Sequence, residues 1–326
     1  MNSIGFALLA AMVTIYVLLD GYDLGTATIS PFLARTSQER GEAMRSIGPF
    51  WNGNEVWLIA TGGVLFALFP QAYASAFSAF YLPFTIVLWM LMFRGLAMEL
   101  RNHFTMPMWR DFWDFAFSAS SALLVLLFGV ALGNLVRGVP LNASGYLLGT
   151  LGFLLNPYAL CIGVLALVAL ALHGALWLAM MTSGAPARRA RGAVPALTVA
   201  VAALYLAASA ATWSVHAVDP QRRWIVALPL ICLGALAGVV LATRRGATRW
   251  AFVFSSAFLA GLLAGAATAL YPFLIPSLPR GGGISIQTMA GGSVAVITFV
   301  AIAGLVAVIA YTIFVVRAMS QHAGDA

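Results

Sequence analysis

Nine stretches of mostly apolar residues constrain this chain more than any other feature of its sequence. A transmembrane helix needs about 20 mostly apolar residues to cross about 30 Å of hydrocarbon. Since lipid cannot satisfy the open edge of a strand, we expect each stretch to form a helix. The predicted spans are residues 3–33, 53–73, 75–99, 113–136, 147–181, 193–214, 223–243, 248–275 and 290–318.

The composition agrees with this interpretation and excludes a soluble domain. Hydrophobic residues make up 62% of the chain and charged residues 8%, with a mean hydropathy of +0.95. A soluble domain carries about 25% charged residues. The sequence therefore predicts an all-α polytopic membrane protein, and its first apolar run has neither the basic segment nor the cleavage site of a signal peptide.

The basic residues predict an orientation. All 17 are arginines, and 13 of them fall in the loops after spans 1, 3, 5 and 7 or in the C-terminal tail. The other side holds only Arg137, Arg222, Arg223 and Arg280. Because cytoplasmic loops are enriched in arginine, we expect the N-terminus outside and the C-terminus in the cytoplasm. The arginines stand singly or in short clusters between apolar runs, so nothing predicts binding to nucleic acid.

The acidic residues are unevenly distributed, since eight of the ten lie within the first 114 positions. We therefore divide the chain into a first four-helix unit with the acidic cluster (1–138), a second four-helix unit that serves as scaffold or interface (139–280), and a ninth helix with a cytoplasmic tail (281–326). No strong internal repeat supports this division, which rests on the number of spans.

Polar residues from four spans are expected to meet in the cytoplasmic half of the first unit. Asp20 and Asp23, in DGYDLG, are three residues apart and share one helix face. The same end of spans 2, 3 and 4 carries polar residues too, and buried ionisable groups usually face a bundle interior or a water path. The predicted site contains Asp20, Asp23, Asn52, Glu55, Arg94 and Asp114.

Simpler structural roles exist for most of these residues. Asn52 and Glu55 have the spacing of a capping box, which predicts that Asn52 starts the second helix. Arg94 and Glu99 are compatible with side chains that reach the interface, and Asp114 with a first-turn carboxylate. His173, within ALALHGALWL, is interpreted as a packing residue rather than a metal ligand, and no metal-binding motif is present.

Several motifs in fixed order resemble subunit II of the bacterial cytochrome bd quinol oxidases. They are DGYDLG, SIGPFWNGNEVWLIATGGVLFALFP, FRGLAMELR, WRDFWDF, GNLVRGVPLN, LLNPYAL and YPFLIPS. The resemblance implies a terminal oxidase of the inner membrane that oxidises quinol and reduces oxygen to water. Haems b and d would then belong to a partner, subunit I, while this chain binds no haem, holds no catalytic residue and supports a proton path. The resemblance is also compatible with a small single-helix subunit and with a structural quinone or lipid.

The family's functionally sensitive positions match Asp20, Asp23, Trp51, Arg94 and Asp114 in this sequence. One position departs from the pattern, because the family often has aspartate where this chain has Asn52. An amide cannot carry a proton at physiological pH, so Glu55 becomes the expected carboxylate. The alternative is a proton-coupled secondary transporter, although no inverted repeat with broken helices is apparent. A self-contained haem protein is a poor fit, because only one of the four histidines, His173, lies within a predicted span.

Overall fold

The computed structural model describes residues 2–142, 145–148, 151–215, 227–278 and 282–288, together with a few helical positions between 299 and 310. Its helices are α1 (Asn2–Leu33), α2 (Ser37–Ile47), α3 (Trp51–Leu68), α4 (Pro70–Ala79), α5 (Tyr81–Leu100), α6 (Pro107–Arg137), α7 (Leu151–Leu154), α8 (Pro157–Met181), α9 (Gly184–Val215), α10 (Ala227–Arg244) and α11 (Thr248–Leu270). A short antiparallel hairpin of β1 (Phe273–Pro276) and β2 (Gly283–Ser285) follows, with a 3₁₀ turn at Ile286–Thr288.

The helical membrane class predicted from the sequence is confirmed. Among the described residues, seven helices are long and apolar enough to cross a bilayer, namely α1, α5, α6, α8, α9, α10 and α11. The count of nine spans stays a prediction, because nearly all of residues 290–318 lie outside the described part of the chain.

The structure divides two predicted spans, ends a third early, and starts α6 and α9 earlier than predicted. Prolines account for the two divisions, because proline lacks the N–H of the helical hydrogen-bond ladder and begins a new helix. Span 53–73 is divided between α3 and α4 at Pro70, and span 147–181 between α7 and α8 at Pro157. Span 248–275 ends earlier than predicted, since α11 stops at Leu270 and the next residues turn into β1.

One end of the helix bundle gathers most of the arginines. Here the C-terminal ends of α1, α5 and α8 meet the N-terminal ends of α6 and α9, with α2 lying against them. Arg189 of α9 donates to the carbonyl oxygen of Leu33 at the end of α1 (2.6 Å), and Arg101 after α5 bonds to Asp114 of α6. We call this the arginine-rich end and the opposite one the arginine-poor end.

The first helix packs unusually close to α8 because two glycines face each other. A Cβ atom added to Gly25 would lie 1.9 Å from the carbonyl oxygen of Leu170, and one added to Gly174 would lie 2.1 Å from the carbonyl carbon of Gly25. Neither position therefore accepts a side chain. Small residues allow such backbone contact between membrane helices. The second glycine of DGYDLG thus sets the distance from α1, which carries both aspartates, to α8.

The junction between α2 and α3 contradicts the predicted cap at Asn52. Phe50 already has helical dihedrals (φ −112°, ψ −30°), and its carbonyl oxygen accepts from the amide of Asn54 (3.0 Å). The N-cap is therefore Phe50, with no side-chain cap bond, and Asn52 is an exposed residue of the first turn. The chain instead forms a capping box at α2, where Thr36 and Glu39 bond to each other's backbone amides at 3.2 Å.

Candidate functional site: a buried ionic cluster

A single arginine lies between two aspartates inside the bundle. Arg94 comes from α5 and the two aspartates, Asp20 and Asp23, from consecutive turns of α1; all three are 0% exposed. The Nη2 atom of Arg94 donates to Oδ1 of Asp20 and lies 3.7 Å from Oδ2 of Asp23. Asp20 is about 20 Å along α1 from its end at Leu33, at 1.5 Å per residue.

A third carboxyl group approaches the same arginine from α3. Oε2 of Glu55 is 3.8 Å from Nη1 of Arg94, and the Glu55 side chain is 23% exposed. The ring of Trp51, one turn earlier, lies 5.5 Å from Cζ of Arg94. An arginine held near a tryptophan ring is attracted by the negative face of the ring. We call Asp20, Asp23, Glu55 and Arg94 the ionic cluster.

Asn54 belongs to this site and was missed in the sequence. Its Nδ2 atom donates to Oδ2 of Asp23 (2.7 Å) and to the hydroxyl oxygen of Tyr22 (2.8 Å). The amide therefore holds the second aspartate from α3. Asn54 and Trp57 are both buried and three residues apart, so they occupy one helix face. The three-residue spacing from Asn54 to the apolar Trp57 is the signal in the sequence that could have placed Asn54 on the interior face.

The ionic cluster has more acid than base. One guanidinium group faces three carboxyl groups, so full ionisation would leave an excess of negative charge in a medium of low dielectric constant. Among the described residues, Oδ2 of Asp20, Oδ1 of Asp23 and Nε of Arg94 are buried without a hydrogen-bond partner. Buried polar atoms normally have a partner. The two carboxyl oxygens are therefore the places where a proton or water is expected to bind, whereas Nε of Arg94 can only donate, for example to water.

Apolar layers lie above and below the ionic cluster. Towards the arginine-rich end, the next turns of α1 and α5 contribute to a buried group of Tyr22, Ala27, Met44, Ile47, Ala97, Trp113, Phe117 and Trp177. Within this group the ring of Tyr22 stacks on Trp177, with centroids 3.9 Å apart. Towards the other end, Tyr16 and Trp57 belong to a second buried group. Of the four cluster members only Glu55 is partly exposed.

Asp114 does not join the cluster, which corrects the prediction that acids from four helices converge. It forms a two-point ion pair with Arg101, through Nε to Oδ1 at 2.5 Å and Nη2 to Oδ2 at 3.2 Å. Arg40 of α2 donates to Asp114 (2.7 Å) and to Asp111 (2.8 Å). The helix itself begins at Pro107, several residues before the predicted start at 113. Asp114 faces the arginines of the arginine-rich end.

An ion pair between Arg189 of α9 and Glu39 fixes the start of α2. Arg189 donates from Nη2 to Oε2 of Glu39 at 2.5 Å. This hydrogen bond, together with those from the amides of Arg35 and Thr36, lowers the pKa of Glu39 to about 2. We call Glu39, Asp111, Asp114, Arg40, Arg101 and Arg189 the α2 network. It connects α2 to α5, α6 and α9.

The remaining predicted positions lie away from the ionic cluster. Asn52 and Glu99 are exposed. His173 is buried against the ring of Phe252 (4.4 Å between centroids), with its nitrogens 3.0 Å from Oγ of Ser255 and 3.3 Å from the carbonyl oxygen of Leu18. Within the described parts of the chain, no three histidine, cysteine, aspartate or glutamate residues are grouped as a metal site.

Comparison with known proteins identifies the family. The family described as cytochrome bd terminal oxidase subunit II matches residues 1–319. The chain is 34% identical over 298 residues to cytochrome bd-I ubiquinol oxidase subunit 2 of Escherichia coli K12, covering 80% of this chain and 78% of that protein. It is 29% identical over 296 residues to cytochrome bd ubiquinol oxidase subunit 2 of Bacillus subtilis 168, covering 90% and 87%.

A solved structure shares the fold. A chain of the bd oxidase from Geobacillus thermodenitrificans superposes with a TM-score of 0.81, at 17% sequence identity, over 98% of this chain and 97% of that one. The family match over almost the whole sequence and the identity to the Escherichia coli protein agree with the motifs that surround the ionic cluster. This chain belongs to the cytochrome bd terminal oxidase subunit II family.

Proposed function

We propose that this chain is the haem-free second subunit of a cytochrome bd-type quinol oxidase and that its ionic cluster conducts protons from the cytoplasm towards subunit I. Family membership makes the chain a subunit of an oxidoreductase complex and a multi-pass protein of the bacterial inner membrane. Reduction of oxygen to water consumes protons, so a path for protons through the apolar part of the complex is required. A proton-coupled transporter is not favoured.

The observation that carries the proposal is the excess of carboxyl groups around one arginine. Three carboxyl groups share the cation of Arg94, and buried oxygen atoms of Asp20 and Asp23 have no partner among the described residues. A site built only for stability would balance its charges, because an unpaired buried charge is strongly destabilising. Three ionised carboxyl groups around one guanidinium group leave two negative charges, so bound protons offset the excess, and their transfer from one carboxyl group to the next constitutes conduction.

Glu55 is the proposed point of access. The route along the helix axes from the arginine-rich end passes the apolar group around Tyr22, Ile47 and Trp177. Glu55 instead reaches the side of the bundle, beside Val56 and Ile59, which are 43% and 73% exposed. This apolar side of α3 suits lipid or a membrane partner; we place subunit I against it, so that Glu55 exchanges protons with the rest of the complex at the boundary between the two subunits.

Each neighbouring residue has a distinct proposed role. Arg94 compensates the carboxylates, Asn54 orients Asp23, and Trp51 covers the guanidinium group from the outside. Asn52, exposed and unable to carry a proton, does not take part. Asp114 supports the structure of the arginine-rich end, which we place in the cytoplasm by the distribution of arginines. The two four-helix units, a small single-helix subunit and a structural quinone or lipid are further expectations on which the proton path does not depend.

The test is oxygen uptake by the purified complex carrying Glu55→Gln or Asp20→Asn. Both variants keep the shape of the side chain but remove a proton-carrying carboxyl group, and we expect quinol-dependent uptake to fall about tenfold or more. The control is Glu99→Gln, an exposed acid of α5 outside the cluster, with uptake like the wild type. Uptake at the wild-type rate in both cluster variants would refute the proton path and leave the family assignment intact.

A further inference from the structure

A large cavity, lined by none of the residues of the ionic cluster, lies towards the arginine-poor end. It has a volume of about 700 Å³ and is enclosed by α6, α8, α9, α10 and α11. Most of its wall is apolar, with Leu132, Ile162 and Leu262 among the lining residues. Trp213 and Leu230 also line it and are 62% and 69% exposed. The cavity therefore opens at the side of the bundle, where lipid lies, and its size is that of a ligand pocket.

Arg137 is the one charged side chain among the described residues that line this cavity. It lies in the last turn of α6, and its guanidinium group packs over the ring of Phe153 with Cζ 4.7 Å from the ring centroid. Its Nη1 atom is buried and has no hydrogen-bond partner among the described residues, and no ion pair joins Arg137 to any of them. Arg137 as a whole is partly exposed, but a buried guanidinium nitrogen normally has an acceptor, and an anion in the cavity would both accept this hydrogen bond and balance the charge.

We propose that the cavity binds an anionic phospholipid, with its phosphate on Arg137 and one acyl chain in the apolar part. Guanidinium groups bind phosphate through two parallel hydrogen bonds, and Arg137 ends a membrane-spanning helix, at the depth of lipid headgroups. A neutral quinone would not balance the charge of Arg137. This site is independent of the proposed proton path.

The first test measures lipid retained by the purified complex. After removal of lipid, phosphatidylglycerol is added, and bound lipid is counted by native mass spectrometry. Arg137→Gln is expected to weaken binding about tenfold or more, since it removes a charged hydrogen-bond donor. The control is Arg188→Gln, an exposed arginine at the opposite end. Equal retention of phosphatidylglycerol by the wild type and Arg137→Gln would overturn the proposal, as would a bound quinone whose amount is unchanged in Arg137→Gln.

A second variant tests the acyl-chain site without altering charge. A Cβ atom added to Gly265, which lines the cavity, would meet no atom within 4 Å. Gly265→Leu therefore fills the cavity without a backbone clash and is expected to displace the lipid. Gly234 on α10 is equally open but does not line the cavity, so Gly234→Leu is the matched control. Full retention of phosphatidylglycerol in Gly265→Leu would also overturn the proposal.

Discussion

The ionic cluster and the α2 network use the same side chains in opposite ways. In the α2 network three arginines face three carboxylates, and every carboxylate accepts at least one arginine hydrogen bond of 2.5–2.8 Å. In the ionic cluster one arginine serves three carboxyl groups, two of its contacts are 3.7 and 3.8 Å long, and several buried polar atoms have no partner among the described residues.

The difference separates structural from functional acid–base pairs. Complete, balanced pairing of arginines with carboxylates fixes helices to each other and leaves no carboxylate that would bind a proton at neutral pH. Incomplete pairing of buried acids is unfavourable for stability, and perturbed ionisable groups of this kind are concentrated at functional sites. Four substitutions test whether the two groups differ in the way that we infer.

Arg94→Gln is expected to have the largest effect, because it removes the single cation of the ionic cluster. Breaking a buried ion pair from one side costs about 3–5 kcal/mol of unfolding free energy. We expect a lower yield and a lower midpoint of thermal unfolding for the purified complex, with oxygen uptake lost. Arg94→Lys keeps the charge and should recover part of the stability. If Arg94→Gln unfolded at the same temperature as the wild type, the carboxyl groups of the cluster would not need the positive charge of Arg94.

Arg101→Gln is the matching change in the α2 network. It removes the two-point bond to Asp114, but Arg40 still binds that carboxylate, so we expect a loss of about 2–3 kcal/mol, as for hydrogen bonds between charged groups. Thermal unfolding would report this loss, while oxygen uptake per intact complex stays near the wild-type value. If uptake fell as much as in Glu55→Gln, the distinction between the two groups would be wrong.

Asn54→Ala tests the neutral donor of the site. The change leaves Oδ2 of Asp23 without its 2.7 Å bond and should lower the unfolding free energy by about 1–2 kcal/mol. Asn54→Asp adds another buried carboxyl group and should lower the stability further at neutral pH. Thermal unfolding of both variants at pH 5 and at pH 8 measures this, and equal stability of Asn54→Asp and wild type at pH 8 would contradict the proposed excess of negative charge.

Glu39→Gln is expected to have the smallest effect, and one that depends on pH. The pKa of Glu39 is lowered to about 2 in the folded chain, from about 4.3 when unfolded. The ion pair with Arg189 therefore stabilises the chain fully above pH 4.3, and this contribution is lost as the pH falls towards 2. We expect the small difference in unfolding midpoint between wild type and Glu39→Gln at pH 7 to disappear near pH 2. A difference that does not vary with pH would argue against this pair.

Periodicity and charge were sufficient to predict the helical membrane class and the partners of Arg94 in the ionic cluster. Asp20 and Asp23 share a face by spacing alone, and Glu55 follows on the next helix. The expected convergence of Asp114 with these acids is wrong, because Arg101 and Arg40 bind its carboxylate at the arginine-rich end, and its functional role stays a prediction. The N-cap predicted at Asn52 is also wrong, because the helix begins two residues earlier, with Phe50 as its N-cap.

The dihedral angles at Phe50 depend on how α2 joins α3, which no local pattern encodes. Where a helix begins therefore decides which polar residues of a span face each other, and this was the least predictable part of the site. The assignment of roles within the site stays a prediction.

The backbone contact between Gly25 and Gly174 has a consequence for mutations distant from the acids. Two glycines in contact leave no side chain that can rearrange, so a side chain added at Gly174 would require α1 to shift. Asp23 lies two residues before Gly25 and would move with it. A substitution at Gly174 of α8, a helix without a single acidic residue, should therefore alter the ionic cluster at a distance, and a genetic screen for altered oxidase activity would recover it beside the acids themselves if the cluster conducts protons as proposed.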